Sequence, residues 1–75
     1  NSINLKTIEE NCASWIADGV ATKKGKTISV NLGEMGYDKL LGNGSTKQTY
    51  KLTISSASAK AVERIEAAGG EIVNG

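Results

Sequence analysis

The sequence predicts a small single-domain α/β protein with two helices and several short strands. Three observations carry that prediction. Two stretches place apolar residues at helical spacing, several short stretches alternate apolar and polar residues, and glycines separate one stretch from the next. At 75 residues there is room for one domain. A chain of that size buries only about 60% of its unfolded surface, so its stability is expected to be modest. The predicted element order is β-α-β-β-β-α-β.

After the leading strand, Asn4 is positioned to cap a helix over Leu5 to Asp18, with Leu5, Ile8, Cys12, Trp15 and Ile16 on one stripe. Glu9 and Glu10 lie toward the positive end of its dipole, and Gly19 is its expected stop. Lys23-Lys24-Gly25-Lys26 reads as a polar turn. Thr27 to Leu32 reads as a strand with Ile28, Val30 and Leu32 on one face. Gly33 and Gly36 break it, Met35 and Tyr37 flank a short connection, and Leu40-Leu41 is a short buried strand.

Gly42-Asn43-Gly44 can supply positive φ and hence a tight turn, after which Tyr50 to Ser55 returns as a strand. Ser58 is expected to cap a second helix from Ala59 to Ala68. Its inward face is Ala61, Val62, Ile65 and Ala68, while Lys60, Glu63 and Arg64 point outward. Gly69 is its left-handed stop, and Ile72-Val73 make a last strand. The chain has no proline and no internal repeat or low-complexity segment.

Composition argues against most catalytic classes. There is no His, so the commonest general base near neutral pH is missing. Cys12 is the only cysteine, and one thiol without His cannot build a typical structural zinc site. A lone cysteine fits a reducing, cytosolic setting, and on an apolar stripe it reads as a buried structural thiol. Glu63 and Glu66 share a helical face but read as solvated charge. No catalytic residue, metal or cofactor is therefore expected. No apolar run reaches the roughly 18 residues of a membrane span, so no membrane partner is expected. The chain begins at Asn1 rather than Met, and it is expected to be a domain of a longer protein.

Gly42-Asn43-Gly44-Ser45-Thr46-Lys47 superficially resembles a nucleotide-binding loop. The Walker pattern needs Gly before the Lys and a helix after it, and here Thr46 precedes and a strand follows. No small-molecule substrate is expected. Two readings of the loop stay open. It is a hairpin connection, or its Gly44 and Ser45 amides and its Ser45 and Thr46 hydroxyls contact backbone phosphates, with Lys39 and Lys47 adding charge. Lys23, Lys24 and Lys26 are either a solvated turn or phosphate contacts. The net charge of +1 is weak for a free-standing nucleic-acid binder.

A longer pattern spans these segments. A basic residue and two aliphatics, Lys39-Leu40-Leu41, precede Gly42-Asn43-Gly44. Tyr50, Leu52 and Ile54 alternate on the next strand, and Ala57, Ser58, Ala61, Ile65 and Gly69 follow at fixed spacing, closing in Ala68-Gly69-Gly70-Glu71. Ile3-Asn4-Leu5 and Gly36-Tyr37-Asp38 lie upstream. The pattern resembles the C-terminal signature of the large-ribosomal-subunit protein fifteen family, archaeal and eukaryotic branch. The eighteen-e family shares the signature, and Gly36-Tyr37-Asp38 favours the former. The sequence departs from it at Ala57, where a bulky residue is usual, at Thr46 and Tyr50, where aliphatics are usual, and at Gln48-Thr49, where basic residues are frequent.

The resemblance implies an irregular β-β-α superhelix. It also implies a structural constituent of the large ribosomal subunit in the cytoplasm, monomeric when isolated. The implied partners are large-subunit rRNA and neighbouring ribosomal proteins. The candidate RNA-facing residues are Lys23, Lys24, Lys26, Lys39, Gly42, Asn43, Gly44, Ser45, Thr46, Lys47, Lys51, Lys60 and Arg64. The resemblance further implies a basic N-terminal extension in the parent protein, absent from this sequence. The competing reading is a small protein-interaction module using a strand edge or an apolar groove.

Overall fold

The computed structural model describes residues 1–74. Its elements are β1 (Ser2–Asn4), α1 (Leu5–Ala17), β2 (Ala21–Lys24), β3 (Thr27–Asn31), β4 (Lys39–Leu41), β5 (Thr49–Ile54), β6 (Ser56–Ala57), α2 (Ala59–Ala67) and β7 (Glu71–Asn74). They form a small mixed α/β domain with a four-stranded sheet, β2-β3-β5-β7, and a three-stranded sheet, β1-β4-β6. In the larger sheet β3, β5 and β7 run parallel, and β2 is antiparallel to β3.

The period-2 patterns place the core as expected. Ile28 and Val30 of β3 stand in register with Tyr50 and Leu52 of β5, so their buried side chains share one face. Leu5, Ile8 and Cys12 of α1 and Ala61 and Ile65 of α2 complete that core. Trp15 and Ile16, expected on the α1 stripe, pack against it half-buried. The opposite face of the four-stranded sheet is polar, carrying Thr22, Lys24, Ser29, Asn31, Lys51 and Thr53. Both helices stop at a left-handed glycine, Gly19 and Gly69, as expected. After α2 the Gly70 amide reaches the Ile65 carbonyl at 2.9 Å and the Gly69 amide that of Glu66 at 3.0 Å, a Schellman closure.

Four expectations are corrected. Lys23-Lys24-Gly25-Lys26 is more than a turn: Ala21–Lys24 is a strand hairpinned to β3 around Gly25. Only Ala21 of that strand is buried, so no alternating pattern announced it, and backbone pairing to β3 alone defines it. β6 was also unforeseen, being two residues held by β4. The glycine loop is not a hairpin connection, because β4 and β5 belong to different sheets. Finally, Asn4 occupies the N-cap position of α1 without a side-chain cap bond. Ser58 does cap α2, accepting from the Ala61 amide at 3.2 Å.

Candidate nucleic-acid interface

Residues 42–48 leave the small sheet at Leu41, cross the N-terminal ends of both helices, and enter the large sheet at Thr49. Two close approaches define the path. A Cβ on Gly42 would sit 2.8 Å from the Ala61 nitrogen at the start of α2. A Cβ on Gly44 would sit 2.7 Å from the Lys6 Cβ and 2.8 Å from the Lys6 nitrogen in the first turn of α1. Gly44 also has φ +95°, a conformation L residues rarely adopt. The glycines therefore bring the loop backbone against the helices; Gly42 itself is buried.

Two of the loop's carbonyls are tied to the helices. Lys6, whose amide is one of the unpaired donors of the first helical turn, donates to the Asn43 carbonyl at 3.0 Å. The loop thus supplies the cap that the Asn4 side chain does not. The Arg64 guanidinium on α2 donates to the Gly44 carbonyl. On the far side the Lys47 amide donates to Glu9 Oε1 at 2.8 Å, and the Gln48 side-chain amide to Cys12 Sγ at 3.1 Å. The Tyr50 hydroxyl also donates to Glu9 Oε1, at 3.1 Å. Burial, the Cys12 contact and the Glu9 carboxylate all push the Tyr50 phenol far above its usual value of 10, so it stays neutral and donating.

The outward surface is different in kind. Gly44 and Ser45 are exposed, and among the described residues neither amide is matched with a protein acceptor. Exposed Lys6 lies against Gly44 and exposed Lys60 against Gly42, Lys47 follows in the loop itself, and half-buried Arg64 braces the loop from α2. Unmatched amides, a hydroxyl at Ser45 and nearby cations are the donor set that phosphate oxygens accept from. Asn43 is exposed, but its carbonyl is turned to α1. Thr46 Oγ1 is enclosed by protein and makes no hydrogen bond, so its hydroxyl is not part of the exposed donor set.

The other candidates stand elsewhere. Lys23, Lys24 and Lys26 are all exposed around the β2–β3 turn. Lys51 projects from the polar sheet face, 3.9 Å from the Glu71 carboxylate. Lys39 begins β4 directly after exposed Asp38. Sequence reasoning missed Lys6 and misread Glu9. Glu9 lies beyond the first turn of α1, and its carboxylate serves the loop rather than the helix dipole. Nothing in one dimension links either residue to a loop on the far side of the chain. Among the described residues no His/Cys/Asp/Glu group is arranged to hold a metal, and no helix is long and apolar enough to cross a membrane.

Comparison with known proteins bears on the same span. A family model described as ribosomal proteins 50S-L15, 50S-L18e and 60S-L27a matches residues 2–73. Large ribosomal subunit protein uL15 of Hyperthermus butylicus is 41% identical over 73 residues, covering 97% of this chain and 48% of that protein. The protein of the same name from Archaeoglobus fulgidus is 46% identical over 73 residues, covering 97% of this chain and 39% of that protein. That of Methanobrevibacter smithii is 37% identical over 73 residues, covering 97% of this chain and 50% of that protein. The chain thus spans half or less of the length of these curated relatives.

Proposed function

The chain belongs to the family of ribosomal proteins 50S-L15, 50S-L18e and 60S-L27a, and from that membership we propose that it is a structural, non-catalytic constituent of the large ribosomal subunit. It holds large-subunit rRNA through phosphate and shape contacts, beside neighbouring ribosomal proteins, in the cytoplasmic ribosome. In isolation it is a monomer. The observation that carries the reading is the glycine loop, with carbonyls tied to both helices and exposed Gly44 and Ser45 whose amides have no protein acceptor among the described residues, close to Lys6, Lys47 and Arg64.

Roles within the interface differ. The amides of Gly44 and Ser45 and the Ser45 hydroxyl donate to phosphate oxygens, and Lys6, Lys47 and Lys60 add charge. Gly42 and Asn43 hold the loop in place, and Arg64 does so while adding charge. Lys23, Lys24 and Lys26 form a second, purely electrostatic patch. Lys39 and Lys51 are peripheral, each beside a carboxylate in Asp38 and Glu71. Strand addition, which the interaction-module reading would use, is discouraged at edge strand β2 by its lysines.

The test is a titration of the labelled 75-residue chain with large-subunit rRNA fragments, followed by backbone amide shifts. Shifts are expected at Gly44 to Lys47, Lys6 and Lys60, then at Lys23 to Lys26, and they fade as salt rises. The salt slope should correspond to about 2–4 phosphate contacts at roughly 0.7–0.9 each. Amides that do not move at low salt would defeat this interface.

A further inference from the structure

We infer that Glu9 is a positioning residue for the RNA-facing loop, an acidic side chain that strengthens RNA binding although its charge opposes it. The inference rests on the RNA reading of the loop. Glu9 Oε1 accepts two hydrogen bonds, from the Lys47 amide at 2.8 Å and from the Tyr50 hydroxyl at 3.1 Å. Tyr50 is fully buried in β5, so the carboxylate is fixed from the core side and in turn fixes the end of the loop.

The rest of the anchoring shows why this contact matters. The first half of the loop is held at the Asn43 and Gly44 carbonyls. The second half is held at the Lys47 amide and the Gln48 side chain, and the latter donates to a thiol, a weak acceptor. Exposed Ser45 and the Thr46 backbone lie between the two anchors. Without the carboxylate the second anchor is weak, and ordering the segment becomes a cost of binding. The opposing effect is small: one negative charge several ångströms from a phosphate, in water and salt, changes affinity by about twofold.

Two variants separate the effects, because Glu9→Gln and Glu9→Ala remove the same charge and only Gln keeps an acceptor oxygen. RNA affinity of the 75-residue chain is measured at two salt concentrations, and Lys47 amide exchange is measured without RNA. Glu9→Gln is expected to match wild type or bind up to about twofold tighter. Glu9→Ala is expected to bind roughly 5- to 10-fold more weakly than Glu9→Gln, with faster Lys47 exchange. Glu9→Asp keeps the charge, withdraws the oxygen by one methylene and is expected to bind about threefold more weakly than wild type, which keeps the test readable should Glu9→Ala not fold. Equal affinities for Gln and Ala, or for Asp and wild type, would overturn the positioning role. Absence of salt-dependent binding in wild type itself would overturn the RNA reading, whatever the exchange data show.

Discussion

The glycine loop at 42–48 and the lysine hairpin around Gly25 are both short, polar and glycine-bearing, and they are built in opposite ways. The loop is pressed onto two helices and tied to them through Lys6, Arg64, Glu9 and Cys12. The hairpin turn projects Lys23, Lys24 and Lys26 into solvent, and a Cβ on Gly25 would meet nothing within 4 Å. A short, polar, glycine-bearing segment can therefore be a preorganised surface or a solvated electrostatic one. Preorganisation costs stability when disturbed and improves binding when intact; a solvated lysine turn does neither.

The sharpest test of that contrast is one substitution made in both places. Gly44→Ala adds a Cβ against Lys6 and forces a side chain into positive φ, and it should destabilise by about 3 kcal/mol or prevent folding. Gly25→Ala meets only the φ penalty and should lose about 1 kcal/mol. Urea melts of the two variants compare them directly, and equal losses would erase the distinction.

Tyr50→Phe tests the loop's anchor in the core. It removes a hydrogen bond to a carboxylate and should lose about 1–2 kcal/mol. It should also change the alkaline limb of stability. The Tyr50 phenol is raised in the folded state, so its contribution is complete below the unfolded value near 10 and is lost as pH climbs beyond it. Thermal melts from pH 8 to 11 should show a shallower alkaline decline in the Phe variant, and superimposable declines would count against a buried, donating Tyr50.

Charge removal comes next in size. Lys6→Ala and Lys60→Ala should weaken RNA binding by more than Lys23→Ala or Lys26→Ala at matched salt, because the helix turns that carry them pack against the loop. Each hairpin variant should lower the salt slope by at most about 0.7–0.9. All four should leave stability within about 0.5 kcal/mol. A larger affinity loss from the hairpin would reverse the ranking of the two surfaces. The smallest effect is expected at Lys51→Ala, whose exposed pair with Glu71 should contribute under about 0.5 kcal/mol in a urea melt.

The sequence by itself determined the parts whose cause is local. Alternation placed Ile28, Val30, Tyr50, Leu52 and Ile54 on one buried face, Ser58 capped α2, and Gly19 and Gly69 ended the helices. Its longer spacing pattern identified the family. Tertiary structure decided what depends on partners distant along the chain. β2 exists because β3 offers a backbone edge, although only Ala21 of its own side chains favours burial. The glycine loop caps α1 because Lys6 needs an acceptor and Gly44 lets the chain come close enough to supply one at Asn43. Glu9 became a loop anchor because folding sets it beside Lys47 and the buried Tyr50 hydroxyl. Periodicity and capping are written in neighbouring residues, whereas a hydrogen bond across the fold exists only once packing has brought its two ends together.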